Sequence, residues 1–505
     1  MKRFFVNLLI VVHILASGFT CSLWANTIAG NTGVIIEINN DIDLKRKTIS
    51  LPEGSVLRFL GGRYLNGTII GNSSSIEAQP QEIFADDVTI LGDWNVDRAY
   101  VEWFGAVACD DNDAIKYAVR NGRAIQKCVD VFAHILFANG STTKKYYVAP
   151  EKGKDYIINI SKRGRIIEGK DVDRTVLITP RNVKNTKILF FSEPSAGARA
   201  SDCLVQNLKI KHQDSNSFAN TGIFISYKCS GIRLIGIHLE QLDICVKNES
   251  WTQILKRVKC YGNYGFVFES PKGYRTSVSM EDCTVCNATV GYILKDLLYS
   301  NLVSCGADCC DLAFDLKNCS VLGFQSCGTE DCRAVMNVES CKEITINMYA
   351  ILTKAKADEY AFSKADIRKY FRITGNSSQI VFANCLFSIH KASSLKKISD
   401  DELAIFTAVR SNGASLLLTF RDCSGSFEET GTPFYNLICV DERGGKYFDR
   451  QSVVLENCTF TSGNASRRPK LNALFKGYQY FDTDLGKPIW YKGDGIWVDA
   501  TGKQI

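Results

Sequence analysis

Cysteine recurs along this chain at a fixed interval. Cys260, Cys283, Cys305 and Cys327 stand 23, 22 and 22 residues apart. Cys286, Cys309 and Cys332 are separated by 23 and 23, and Cys319 and Cys341 by 22. Three phases of one period are the mark of a repeat architecture, and they constrain the fold more tightly than any local motif. The surrounding residues repeat too. Val278-Ser279-Met280-Glu281-Asp282-Cys283, Asn301-Leu302-Val303-Ser304-Cys305 and Val321-Leu322-Gly323-Phe324-Gln325-Ser326-Cys327 are variants of one phrase. It returns in Ile380 to Cys385, Leu416 to Cys423 and Val453 to Cys458. Each is a short strand alternating by two, closed by a small polar residue and Cys; helical repeats would instead place apolar residues three and four apart. Three strands of about 4 to 5 residues plus turns fill such a period, so the spacing predicts one coil of a parallel β-helix. Coils stacked at about 4.8 Å align equivalent residues in ladders, and only the stack buries the inner face.

The chain holds 20 Cys in 505 residues. That is too dilute for a small disulfide scaffold and high for a cytosolic enzyme. Side chains in register lie near the strand spacing of about 4.8 Å, longer than the roughly 3.8 Å between Cβ atoms that a disulfide prefers. The spacing therefore predicts reduced, buried cysteine ladders that pack as small apolar residues. With 45% hydrophobic and 23% charged residues, the composition excludes disorder, a collagen-like repeat and a multi-span membrane protein. A formal charge of +6 spread over this length predicts no nucleic-acid partner.

Lys2 and Arg3 precede an apolar run from Phe4 to Phe19, with small residues near Ala25. This reads as a secretory signal peptide over 1–25. The run is short for a span of about 20 residues, so stable membrane insertion is not expected; a membrane anchor and lipidation at Cys21 are the other readings. The expected location is secreted, periplasmic or cell-surface. Residues 26–100 hold short strands with glycine turns and are expected to form an amino-terminal β cap. Residues 101–470 are expected to form the β-helix, with a capping helix near 111–128 whose carboxylates Asp110, Asp111 and Asp113 suit a helix amino terminus. The longer repeats at 352–378, 387–414 and 426–450 read as outward loops, with a helix at 357–370. Residues 471–505, rich in Tyr, Trp, Gly and Asp, read as a separate small module.

Val101-Glu102-Trp103-Phe104-Gly105-Ala106 followed by Asp110-Asp111-Asn112-Asp113-Ala114-Ile115 resembles the opening of pectate-lyase-like right-handed β-helix proteins. That superfamily includes rhamnogalacturonase/epimerase-like enzymes and phage tailspikes. Its Gly-Asp-Gly turn is replaced here by Val107-Ala108-Cys109. The resemblance covers residues 34–130 by motif and 200–465 by repeat. It implies an all-β right-handed parallel β-helix acting on or binding a polysaccharide, as a monomer or homotrimer. Fold alone does not fix the reaction.

The chemistry implied is hydrolysis by paired carboxylates, or elimination, which needs a base and a cation or Arg to neutralise the sugar carboxylate. Asp308 precedes Glu330 and Asp331 by 22 and 23 residues, so adjacent coils are expected to stack them. Stacked carboxylates repel unless they share a proton or a cation, so Asp308, Glu330 and Asp331 are candidate catalytic residues and Asp308 with Asp331 a candidate Ca²⁺ site. Arg333 or Lys317 is the candidate basic partner. His212, next to Asp214, and His238 read more simply as strand residues than as bases. Tyr261, Tyr264 and Tyr274 in an aromatic cluster, and Trp490 and Trp497 in the tail, are candidate sugar-stacking residues. The competing class is a non-catalytic glycan-binding surface protein of the tailspike kind.

Overall fold

The computed structural model describes residues 8–10, 23–25, 34–138, 142–193, 199–269, 277–352, 371–389, 406–408, 416–427, 438–440, 453–456, 458, 462–468 and 477–505. The chain divides into two compact units, Met1–Phe224 with Leu234–His238, and Ile225–Arg233 with Leu239–Ile505. Each is wound from parallel strands, and the fold is the right-handed parallel β-helix that the periodicity predicts.

In the second unit the coils form three columns of strands. Val278–Glu281, Leu298–Val303 and the start of Ser320–Glu330 make the first, with Ser279 facing Asn301 and Asn301 facing Gly323. Thr284–Cys286, Gly306–Asp308 and the end of Ser320–Glu330 make the second, with Val285 facing Ala307 and Ala307 facing Thr329. Val290–Lys295, Leu312–Lys317 and Ala334–Glu339 make the third. Each of these steps is 22 residues. Inside, Phe266, Tyr292 and Phe314 stack with centroids 5.1 and 4.8 Å apart. The Tyr292 hydroxyl donates to Cys283 O at 2.8 Å, which satisfies the one polar atom that this ring takes into the core.

The corners explain the cysteines. Asp282, Ser304, Asn318, Ser326, Asp331, Ser340, Asn384 and Asp422 have left-handed backbone, with φ of 51 to 55°. Asn and Asp tolerate this conformation because their short polar side chains bond locally. Each corner turns the chain so that the next residue, always Cys, points inward. The corner N–H then bonds to the following coil, as in Ser304 N to Gln325 O at 2.9 Å. The thiol reaches back to the preceding coil: Cys319 Sγ donates to Leu294 O at 3.1 Å, Cys332 Sγ to Ala307 O at 3.2 Å and Cys327 Sγ to Leu302 O at 3.4 Å. Cys is small enough for the bend and carries a weak donor for the carbonyl within reach.

Later coils are longer, with steps of 36 from Lys342 to Ser378 and 38 from Val381 to Thr419. The segments expected as outward loops are more than loops. Phe371–Thr374, Phe406–Ala408 and Ile438–Val440 continue the third column, and Phe371 is buried. Their alternation is too short to stand out between the insertions. The helix expected at 357–370 lies outside the described residues.

In the first unit, residues 34–94, expected as an amino-terminal β cap, form parallel coils in sheets separate from the 28-stranded one. Ile42 pairs with Tyr64, Thr48 with Thr68, Thr68 with Thr89, and Val56 with Ser75, all in parallel, at steps of 19 to 22 residues. The α-helix α1, Ala114–Val131, follows a 3₁₀ turn at Asp111–Asp113. The expected carboxylate cap does not form: neither Asp110 nor Asp113 caps through its side chain. Asp111 instead accepts from the Tyr147 hydroxyl at 2.6 Å and Lys145 Nζ at 2.9 Å. What holds α1 is packing and one buried amide. Asn121 Nδ2 donates to Val107 O and Tyr147 O, both at 2.9 Å, and its Oδ1 accepts from Val107 N at 2.8 Å. Gly122 follows because a Cβ there would lie 2.6 Å from Ala149 O. Of residues 1–25, Leu8–Ile10 and Leu23–Ala25 are described, as short antiparallel strands; the rest, with Cys21, lies outside the described residues.

The tail module is antiparallel: Gln479–Asp482, Lys487–Gly493 and Ile496–Val498. Ser462–Gly463 pairs with its first strand, so the module begins before residue 471. Among the described residues, no helix is long and apolar enough to cross a membrane.

The 18 cysteines whose side chains are described are all unbridged, and all but Cys109, Cys286 and Cys309 are buried. Titration of denatured, unreduced protein with a thiol reagent should therefore find most of the cysteines as free thiols. A result near zero would mean that the ladders are oxidised and that the thiol-to-carbonyl account of the corners is wrong.

Candidate functional site

The second column of the second unit carries the candidate chemistry on its outer face. Strand alternation sends Cys260, Val285, Ala307 and Thr329 inward. It sends the residues on either side outward, in two rows. One row runs Tyr261, Cys286, Asp308, Glu330 in register. The other, two residues earlier, runs Lys259, Thr284, Gly306, Gly328, Tyr349. The two adjacent glycines leave a strip of bare backbone beside the two carboxylates. A Cβ on Gly306 would meet nothing closer than 3.7 Å, and one on Gly328 nothing closer than 3.6 Å, so both positions accept a Cβ at ordinary contact distance. Tyr349, 43% exposed, follows Gly328 in the same row, and Tyr261, 37% exposed, lies in the carboxylate row two coils before Asp308.

Asp308 and Glu330 are thus brought together as the 22-residue spacing predicts. Asp331 is not in their row. It occupies the left-handed corner after Glu330, as Cys309 does after Asp308. Its charge still acts on Asp308. Partial burial, and then the charges of Glu330 and Asp331, push the Asp308 carboxyl above its ordinary range, against the hydrogen bond from Cys286. Cys286 Sγ donates to Asp308 Oδ2 at 3.9 Å. Burial and the Asp308 charge push that thiol up to about 11, so it remains a neutral donor at pH 7.

Arg333 lies beyond the corner and ion-pairs with Asp311 at 3.5 Å. Lys317 is in the third column, paired with Glu339 at 2.7 Å. Neither is placed in the carboxylate row by the register, because each follows or precedes a corner that turns the strand. Among the described residues, no group of three or more His, Cys, Asp or Glu side chains could hold a metal ion, and the Asp308–Asp331 pair is not extended to one.

The sugar-stacking candidates separate. Tyr261 is in the site row. Tyr264 is half-buried and paired with Val290, where the third column begins. Tyr274 lies outside the described residues. Trp497 is 5% exposed and packs with Tyr480, Ile489 and Tyr491, so it is the core of the tail module and not a free platform. Trp490 is half-buried, between Gln479 and Val498. His212 is a buried strand residue of the first unit, its Nδ1 3.0 Å from Thr179 Oγ1, and burial lowers its pKa. His238 is half-buried in the same unit. Sequence reasoning missed the glycine strip, Cys286 as a site member and Tyr349. The signal for the strip was present: Gly306 and Gly328 share the 22-residue step and stand two residues before the carboxylates.

No family model and no curated protein matches the chain. Among solved structures, tailspike protein 3 of bacteriophage CBA120 is similar at 13% identity and a TM-score of 0.39, over 81% of this chain and 70% of that one. A tailspike of Acinetobacter phage vb_AbaP_AS12 is similar at 12% identity and a TM-score of 0.47, over 73% of this chain and 63% of that one. The A-module of the Azotobacter vinelandii mannuronan C-5 epimerase AlgE4 is similar at 11% identity and a TM-score of 0.40, over 72% of this chain and 95% of that one.

The strip makes one requirement explicit. Gly328→Tyr fills it without a backbone clash, so the melting midpoint should stay close to that of the parent, as for most surface changes within about 0.5 kcal/mol. A polysaccharide retained by the parent on affinity electrophoresis should not be retained by the variant. Undiminished retention would move the binding face elsewhere.

Proposed function

We propose that the protein is exported, binds a polysaccharide along the outer face of the second column, and hydrolyses it with Asp308 and Glu330. The observation that carries this reading is the register of those two carboxylates on adjacent coils beside the bare strip at Gly306 and Gly328. Asp308, held protonated to higher pH, is suited to give a proton to the leaving oxygen. Glu330, exposed beside it, is suited to act as the carboxylate partner. Adjacent coils are about 4.8 Å apart. Carboxyl pairs about 5 to 5.5 Å apart serve double displacement with retention of configuration, whereas inverting pairs stand about 6.5 to 9.5 Å apart. The strip admits a flat ring edge, and Tyr261 and Tyr349 offer faces for apolar stacking on sugars. Elimination is the weaker reading, because Arg333 pairs with Asp311 and Lys317 with Glu339, both outside the row.

The test is incubation with a panel of neutral and acidic polysaccharides. New reducing ends without absorbance near 235 nm are expected. Asp308→Asn should lower turnover by about 10² to 10⁴. The basic limb of the pH profile should belong to Asp308: because its pKa is raised, the proton is retained as pH rises past the ordinary carboxylate range and lost only at the higher folded value. A glycan that binds and is never cut would leave the non-catalytic reading in its place. New absorbance near 235 nm would replace hydrolysis by elimination.

Chelation separates the acid–base role from the cation role. With Asp308 as a proton donor, EDTA should leave turnover unchanged. Loss restored by Ca²⁺ would make Asp308 and Asp331 cation ligands instead.

A further inference from the structure

Cys286 stands outside the pattern that accounts for the buried cysteines. Cys319, Cys327 and Cys332 follow left-handed corners, and their thiols donate to backbone carbonyls of the preceding coil. Cys286 instead precedes a corner, at Asn287, and lies half-buried on the outer face of its column. Its thiol turns the other way along the stack, to a side chain of the next coil: Sγ donates to Asp308 Oδ2 at 3.9 Å.

A second contact gives that bond its direction. Tyr261 stands beside Cys286 in the row, one coil earlier, and its side chain hydrogen-bonds with the thiol. That bond draws the thiol down, against burial and the Asp308 charge, as a hydroxyl donating to sulfur does. With the sulfur engaged as acceptor, the S–H is left for Asp308. Burial, and then the Asp308 charge, hold the thiol up at about 11, so its proton is in place at pH 7.

A stronger donor would defeat the purpose. Glu102, another raised carboxyl, is buried in the first unit and accepts from the Tyr146 hydroxyl and from Ala138 N at 3.1 Å. A thiol donates weakly. It orients Asp308 while leaving that carboxyl above its ordinary range. A protonated carboxyl has one oxygen that donates and one that accepts. A donor held on Oδ2 makes that oxygen the acceptor. We propose that Cys286 is a positioning residue, oriented by Tyr261, that places the Asp308 proton on Oδ1. Use of that proton on the leaving oxygen presupposes Asp308 as the acid of the hydrolysis.

One test is independent of turnover. The full chain is alkylated with iodoacetamide at about pH 9, and the rate at Cys286 is read by peptide mass spectrometry. Asp308→Asn should raise that rate about two- to fourfold, because no carboxylate then opposes the thiolate; Tyr261→Phe should lower it by a similar factor, because the thiolate loses its donor. An unchanged rate in either variant would overturn the proposal. The other test uses a glycan that the protein cuts. The Cys286 bond favours the ionised carboxyl, so Cys286→Ala should move the basic limb of the pH profile up by about half a unit to one unit, and lower kcat with KM kept. Cys286→Ser keeps a donor and should return both toward the parent. A purely structural role would shift the melting midpoint and leave the limb in place. An unmoved limb, or serine behaving as alanine, would overturn the proposal. With no glycan cut, the hydrolytic reading fails by itself, and the alkylation rates still decide where the Asp308 proton sits.

Discussion

The structure of the second unit depends on a corner. A small polar residue with left-handed backbone turns the chain, and the cysteine after it points inward and bonds to the coil before. At Asn318, Asn384 and Asp422 two bonds run in opposite directions, the corner amide to the next coil and the following thiol to the previous one. Together they fix where each strand starts relative to its neighbours. This matters because strand side chains alternate with a period of two, and a slip by one residue would exchange the faces. The aromatic stack of Phe266, Tyr292 and Phe314 and the outer pairing of Asp308 with Glu330 are consequences of one register.

Much of this was legible in the sequence. The cysteine period gave the coil length, and the alternating strand before each cysteine gave the columns. Asp308 and Glu330 could be paired because nothing interrupts the 22-residue step between them. Asp331 could not be separated from Glu330, because spacings of 22 and 23 both occur and only the corner's backbone decides which residue faces the row. Arg333 and Lys317 look close in sequence, but corners rotate them away. Trp497 looked exposed because its neighbours are polar, whereas a small antiparallel module buries its few aromatics against one another. Glu102 lay within the quoted phrase from Val101 to Ala106. Its environment comes from strands and turns spread from Pro80 to Tyr146, which no local pattern reports.

Asp308 and Glu102 are both shifted upward, in different surroundings. Asp308 is raised first by partial burial and then by the charges of Glu330 and Asp331, against the hydrogen bond from Cys286, on the outer face of a column. Glu102 is shifted by burial, with one oxygen tied to Tyr146 and Ala138 and the other unpartnered. The first arrangement suits a group that exchanges its proton. The second keeps a carboxyl away from water.

Placing functional groups on successive coils also makes their separation discrete. On one row, distance changes only in whole coils, about 4.8 Å at a time. Moving the partner of Asp308 one coil further would set it near 9.6 Å, twice that spacing, at the position that Ile351 now holds. A continuous protein surface can drift between the geometries of two reaction outcomes; a ladder has to jump. Stereochemical outcome on such a scaffold is therefore inherited as a whole-number property of the repeat.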